Sequence, residues 1–335
     1  MSKLEISKPV FLLGSHKSGT SLVRSLLDEH PELVVFPSEI HFFQYSGYWV
    51  DYSLRKQRPK AFSVVDRKNL LKRFLDEENQ CTDPYGASDM AGKYDEGTFN
   101  AVINGYEPES LRDLFELYVE AIYESYSRKP YPVNKRLVEK SVENVEFAPL
   151  LRRLYPDCKF IHIVRNPYAT LVSIRRSRSD LGYPYLGRIA MSLRNSYYNL
   201  LKNQDILDNY LVVKYEDLVS FPQESITHIS DFLGIASDPL MLTPTLLGQP
   251  WGGNSSADGT FKGISASRIE SWTQEISDFE IVLANQALGP VIRHFSYEPL
   301  TPKHSVFRQR FQPHLGERPE TYIRNRLFRW LMKSI

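Results

Sequence analysis

The chain has 335 residues, with 41 lysines and arginines against 40 acidic residues, and a formal charge of +1 gives no global electrostatic case for nucleic acid. Its 42% hydrophobic and 24% charged residues are those of a globular protein, which sets disorder aside. Cys81 and Cys158 stand far apart and form no CxxC pair, so neither a disulfide framework nor a structural zinc site is expected.

The N-terminal MSKLEISKPV lacks a long apolar leader, and no stretch reaches the roughly 18 apolar residues of a membrane span; a cytoplasmic location is expected. The first strong signal is Pro9–Leu22, PVFLLGSHKSGTSL. An apolar run at 10–13 meets a Gly/Ser loop at Gly14–Ser21, then a helix predicted over Thr20–Glu29. This layout holds phosphate with backbone N–H groups and the positive end of a helix. The nucleoside-triphosphate pattern G-x-x-x-x-G-K-[ST] would require lysine at position 20, where Thr20 stands; the loop's lysine is Lys17. The loop therefore points to phosphate, but away from ATP with magnesium.

Four further β-rich runs follow: LVVF (33–36), RLVE (136–139), KFIHIV (159–164) and YLVVK (210–214). Helices are predicted over Ser110–Tyr126, Val145–Leu154, Ala169–Arg176 and Gln223–Leu233. Apolar strands alternating with amphipathic helices predict an α/β fold, a single domain over 1–335 with a central parallel sheet flanked by helices. Residues 46–108 break the rhythm and read as an irregular, inserted acceptor-side region. Their aromatics Tyr48, Trp49, Tyr52, Phe62, Phe74 and Tyr85 suit stacking on sugar rings. Residues 236–275 open with Pro, Gly and Ser and read as a cofactor-covering loop, with Trp272 as core; residues 300–335 form a C-terminal tail.

In an open α/β sheet, ligands bind beyond the carboxyl ends of the strands. Each predicted strand delivers polar groups there: the Gly14–Ser21 loop, then Glu39 and His41, then Lys140 and Ser141, then Arg165, then Lys214, Tyr215 and Glu216. A P-loop kinase usually ends a strand in an acidic residue that holds magnesium. Here FIHIV ends in Arg165, so the site is expected to hold negative charge without a metal.

Together these residues resemble the sulfotransferases that use 3′-phosphoadenosine 5′-phosphosulfate (PAPS). GSHKSGTSLVRSLL resembles their 5′-phosphosulfate loop, IVRNPYATLVS their 3′-phosphate motif, and KYEDL with a helix ending in FLGI a further family segment. PSEIHFF is similar to the acidic-x-His-Phe-Phe segment of heparan sulfate glucosaminyl 3-O-sulfotransferases, and comparable acidic segments occur in tyrosylprotein and bacterial sulfotransferases. The resemblance implies a P-loop-like sulfotransferase fold with Glu39 as catalytic base and His41 as its neighbour or an acceptor contact. It implies Lys17 at the transferring sulfuryl group and Lys140 at a bound sulfate or acceptor. Lys17, Ser18, Gly19, Thr20 and Ser21 would hold the 5′-phosphate, and Arg165 and Ser173 the 3′-phosphate. Tyr215 and the Ser256–Ser265 segment, with Lys262 and Gly263, would cover the nucleotide. The late motif FKGIS departs from the cytosolic enzymes' Arg-Lys-Gly, since no arginine precedes the lysine.

The resemblance implies PAPS as donor, 3′-phosphoadenosine 5′-phosphate (PAP) as product, no metal, and a hydroxyl acceptor on a sugar, glycolipid or similar compound. The other readings are a P-loop small-molecule kinase and a non-catalytic nucleotide- or glycan-binding protein. In the segment 323–335, Arg324, Arg326, Arg329 and Lys333 lie among Leu327, Trp330 and Leu331. It reads as a helix docked on the domain with a solvated basic face, with contact to an anionic membrane or polysaccharide as the alternative.

Overall fold

A computed structural model describes residues 3–48, 62–79, 90–179, 182–253, 263–267, 269–304 and 313–331. Trp49, Tyr52, Tyr85, Cys81, Lys262 and Lys333 lie outside them. The five predicted strands all form: β1 Val10–Gly14, β2 Leu33–Val35, β3 Arg136–Lys140, β4 Lys159–Val164 and β5 Tyr210–Lys214. They make one parallel sheet in the order β2-β3-β1-β4-β5. Val10 lies opposite both Val138 and Lys159, so β1 runs through the middle of the sheet.

Val10, Phe11, Leu12 and Leu13 are all fully buried, which explains why β1 reads as continuous apolar sequence rather than alternation. Phe11 and Leu13 face a cluster with Leu137, Phe160 and the helices α5 (Leu111–Ser127) and α6 (Asn144–Leu154). Val10 and Leu12 face the opposite cluster, with Val23, Ile161 and Ile229 of α1 (Thr20–Leu27), β4 and α10 (Pro222–Leu233). A third cluster joins α7 (Pro167–Ser177), α8 (Leu186–Ile206) and α11 (Asp278–His294) beside β4. The chain leaves β1 toward β3 and β2, and later returns past β1 to β4. This reversal opens a crevice at the carboxyl end of β1, the topological switch point.

The helix ends follow their local chemistry. Ser110 caps α5 by accepting from Asp113 N, and Asn166 caps α7, whose first turn holds Pro167. Gly234 ends α10 at φ 70°. The predicted α1 was longer; it stops at Leu27, with Asp28 as cap and Glu29 at φ 64°.

Region 46–108 corrects the expectation of irregularity. Among its described residues are α3 (Val64–Leu71), opened by a Ser63/Asp66 capping box, a π turn at Leu75–Asn79, and α4 (Glu96–Ile103). Phe74 is fully buried, with ring centroids 4.9 Å from Tyr94, 5.9 Å from Phe99 and 5.8 Å from Tyr118. It is core and cannot stack on a sugar. Tyr48 is covered by the Arg67 guanidinium at 3.5 Å from its ring centroid. Trp272 is core as expected, stacked 5.9 Å from Tyr168. The remaining helices are α2 (Phe42–Tyr45), α9 (Tyr215–Ser220) and α12 (Pro319–Leu331), and a hairpin pairs β6 (Thr245–Leu246) with β7 (Gln249–Pro250).

Phe74→Ala is expected to lower unfolding stability by about 3–5 kcal/mol, measured by denaturant titration. An unchanged transition midpoint would return Phe74 to the surface role.

Candidate active site

The loop after β1 is shaped by two glycines that no other residue can replace without strain. A Cβ on Gly14 (φ 157°) would come within 2.9 Å of Ile163 O on the neighbouring strand. A Cβ on Gly19 (φ 106°) would come within 2.4 Å of the Tyr215 ring. Ser18 closes the loop, its N–H donating to Ser15 O at 3.2 Å and its hydroxyl to the same oxygen at 2.8 Å. Thr20 and Ser21 open α1, so their N–H groups lie at its positive end. Lys17 adopts a left-handed backbone at φ 60°.

Three strand ends converge here. Arg165, leaving β4, donates from Nη1 to Lys17 O at 3.0 Å, and its guanidinium lies 4.5 Å from the Tyr215 ring centroid. Tyr215 follows β5 and packs on Gly19, so the loop, Arg165 and Tyr215 form one cradle of cation, ring and backbone N–H groups. Glu216 locks the corner behind it, accepting from Asn166 N and from Tyr297 O–H, both at 3.0 Å. Lys214 does not join: its Nζ donates to Phe295 O at 2.8 Å. Ser173 lies six residues beyond Pro167 on α7, about 9 Å along the helix axis. Gly263 is described, and its neighbour Ile264 packs against the cluster of α1 and α10.

A second group of charges sits beside the cradle. Arg24 of α1 donates to Pro37 O and the hydroxyls of Ser38 and Tyr94 bond at 2.5 Å, which pins the segment after β2. Glu39 then accepts from Lys140 Nζ and, at 3.1 Å, from Val142 N. His41 holds a left-handed backbone at φ 49°, its N–H donating to Ser141 Oγ at 3.0 Å. Its ring Nδ1 is 3.0 Å from Glu143, and Nε2 is 3.7 Å from Glu39 and 3.9 Å from Glu78. Glu78 also accepts from Tyr45 O–H at 2.9 Å. Ser141 and Asn144 both donate to the fully buried Glu139.

These contacts set the charges. Burial pushes the Glu39 carboxyl up, but Lys140, His41 and His16 together outweigh it and bring it down to about 2. Burial pushes His41 down, but Glu143, then Glu39 and Glu78, bring it up to about 10. Glu139 is raised to about 7 by burial. Burial lowers His16 to about 4, with Glu39 and Lys140 the nearest opposing and reinforcing charges. At neutral pH the site therefore holds a Glu39 carboxylate, a His41 imidazolium and a neutral His16. His16 belongs to the phosphate-type loop that leads into α1, and Arg24 of α1 ties down the segment carrying Glu39 through Pro37 O, so the loop and the carboxylate stand on neighbouring segments.

His16, Glu78 and Glu143 were not singled out from the sequence. Glu143 was within reach, two residues beyond Ser141 at a strand end; Glu78 arrives from the π turn that periodicity did not show. Ligand atoms of Glu39, His41 and Glu143 lie within 4.8 Å of one another, a spacing that suits a cation. In this arrangement Lys140 and the imidazolium are the cations among those carboxylates.

Residues 9–239 match the profile of the sulfotransferase family. The chain belongs to this family. It is 23% identical over 300 residues to protein-tyrosine sulfotransferase A of Caenorhabditis elegans, covering 87% of this chain and 67% of that protein. It is 28% identical over 196 residues to carbohydrate sulfotransferase 2 of Homo sapiens, covering 46% of this chain and 36% of that protein. Its fold is similar to that of the sulfotransferase domain from the curacin biosynthetic pathway, with TM-score 0.55 and 21% identity over 88% of this chain and 100% of the domain. The expected P-loop-like sulfotransferase fold is thereby present, a five-stranded parallel sheet between helices.

In this sulfotransferase, His41 titrates higher when folded, about 10 against an ordinary 6.5. Its charge therefore stabilises the fold fully below pH 6.5 and loses that contribution as pH rises through about 10. In denaturant melts, the stability gap between wild type and His41→Asn is expected to narrow across that window. A gap independent of pH would show that His41 is not an imidazolium.

Proposed function

We propose that the chain is a PAPS-dependent O-sulfotransferase that sulfates a hydroxyl of a carbohydrate or glycoconjugate. The observation that carries this reading is an anion cradle, made by the Gly14–Ser21 loop, Arg165 and Tyr215, beside a Glu39 carboxylate whose segment Arg24 of α1 ties to the same helix. The cradle suits a nucleotide donor, because Gly19 lets the Tyr215 ring pack on the loop beside helix-end N–H groups and the Arg165 guanidinium. When bound, PAPS would supply the sulfuryl group and leave as PAP.

Glu39 is the base in this scheme. It takes the acceptor hydroxyl proton as the new S–O bond forms and the bond to the phosphate oxygen breaks. Lys140 holds Glu39 at low basicity in the structure; turning toward negative charge at the cradle would free the carboxylate to accept a proton. Lys17 stands on the loop, where it would neutralise charge on the departing phosphate oxygen. Arg165 with Ser173 would hold the 3′-phosphate, Ser18, Gly19, Thr20 and Ser21 the 5′-phosphate, and Lys262 with Gly263 would cover the nucleotide. Thr20 at the Walker lysine position and Arg165 at the end of β4 count against a kinase.

The carbohydrate acceptor is supported by the PSEIHFF segment and by the similarity to a carbohydrate sulfotransferase. The likeness to a protein-tyrosine sulfotransferase over 87% of the chain favours a tyrosyl hydroxyl as the second reading. Transfer from radiolabelled PAPS to a panel of glycans, glycolipids and tyrosyl peptides decides between them.

Glu39→Gln is expected to lower transfer about 10²–10⁴-fold while leaving adenosine 3′,5′-bisphosphate affinity unchanged in calorimetry. Arg165→Ala is expected to weaken that affinity roughly 10–100-fold, the loss of one charge-assisted contact. Tight binding of ATP–Mg²⁺ with none of the bisphosphate would overturn the sulfotransferase reading. Full turnover by Glu39→Gln would remove Glu39 as base.

A further inference from the structure

The C-terminal helix has two faces, and among the described residues only one of them packs on the rest of the fold. On the inner face Asn325 is 1% exposed: its Oδ1 accepts from Leu186 N at 2.7 Å, and its Nδ2 donates to Glu317 Oε1 at 2.8 Å. Arg329 is buried beside it, and Phe328 packs on the cluster of α8 and α11. The outer face carries Ile323, Leu327, Trp330 and Leu331, at 57%, 55%, 63% and 53% exposure. Their spacing i, i+4, i+7, i+8 makes one continuous apolar stripe. No α-helix needs such a stripe for its own docking, since docking uses the opposite side.

The exposed charges of the helix and of its neighbour α8 are mostly positive. Exposed Arg324 lies on α12 and exposed Arg318 just before it, and within α12 Glu320 is the single acidic residue. The helix it packs on, α8, turns exposed Arg188, Arg194 and Lys202 to solvent, with Asp205 at its C-terminal end as the single acidic residue. The whole chain carries only +1, so this two-helix surface holds a local excess of cations.

We propose that α12 and the outer side of α8 form a docking surface for an anionic lipid bilayer. Burial of an exposed aliphatic and tryptophan stripe needs an apolar partner, and the surrounding cations need a negative one. An anionic leaflet offers both at once, with acyl chains beneath phosphate headgroups. A second copy of the chain fits less well. A two-fold contact through this stripe would set Arg318, Arg324 and their copies against each other with few carboxylates between them. The surface stands apart from the proposed activity, so its test does not depend on the acceptor or the donor.

The test is co-sedimentation of the full chain with phosphatidylcholine vesicles, with and without phosphatidylglycerol, alongside tryptophan emission. The chain is expected to pellet with the anionic vesicles only, to be released by high salt, and to shift its emission to the blue. Leu327→Glu with Trp330→Glu is expected to abolish pelleting while its circular dichroism and melting midpoint stay those of wild type. Arg188→Gln with Arg194→Gln keeps the stripe and is expected to weaken binding roughly fivefold per cation removed. No pelleting with anionic vesicles, or equal pelleting by the Leu327/Trp330 variant, overturns the proposal. So does self-association in analytical ultracentrifugation that the same double substitution abolishes, which would assign the stripe to a second copy.

Discussion

The ion pair between Glu39 and Lys140 joins the ends of β2 and β3 and organises the site around it. Two charges taken from water at a sheet edge are costly unless further hydrogen bonds satisfy them. Glu39 meets that condition with a backbone N–H from Val142 and an imidazolium beside it. The imidazolium in turn needs Glu143, and the backbone strain at His41 is held by Ser141, itself fixed on Glu139. Removing any one member leaves a charge or donor unpaired, so the segment after β2 has little freedom to move. The reacting groups are therefore positioned before any ligand arrives.

The same network resolves an electrostatic conflict. A carboxylate close to helix-end N–H groups and a guanidinium would repel an anion held by them. His41, kept cationic by three carboxylates, and Lys140 place positive charge directly on Glu39 and screen it from that space. Glu139, pushed up to about 7 by burial, adds only part of a negative charge near neutral pH. The cluster thus presents less than its full formal negative charge to the loop.

Much of the sheet was legible because buried parallel strands are apolar on both faces, and runs such as KFIHIV have no other stable use. The strand-end residues Glu39, Lys140 and Arg165 were legible for a related reason: a charge that follows a buried strand must emerge at its end. Their pairing was not legible, since Lys140 and Glu39 lie 101 residues apart and only the β2-β3 adjacency brings them together. Phe74 was misread because an aromatic side chain suits a core and a sugar face equally in composition. Its burial depends on α4 and α5, which close over it from later in the chain. Lys214 sits at a strand end like the others, yet the end of α11 captures it. Arg329 read as part of a solvated basic face, whereas the fold buries it.

The position of the loop cation separates this site from the nucleoside-triphosphate plan. A lysine at position 20 would extend from the first turn of α1, close to the helix end whose N–H groups already attract the anion. Here Thr20 leaves that place to a short hydroxyl, and the cations come from Lys17 within the loop, Arg165 after β4 and Lys140 after β3. Positive charge is thereby spread around the crevice instead of concentrated at one phosphate. Under the proposed function, such a spread would serve a donor whose anionic groups are separated by a sugar. It also ties charge neutralisation to the relative placement of three strands, which the central, fully buried β1 holds in register between β3 and β4.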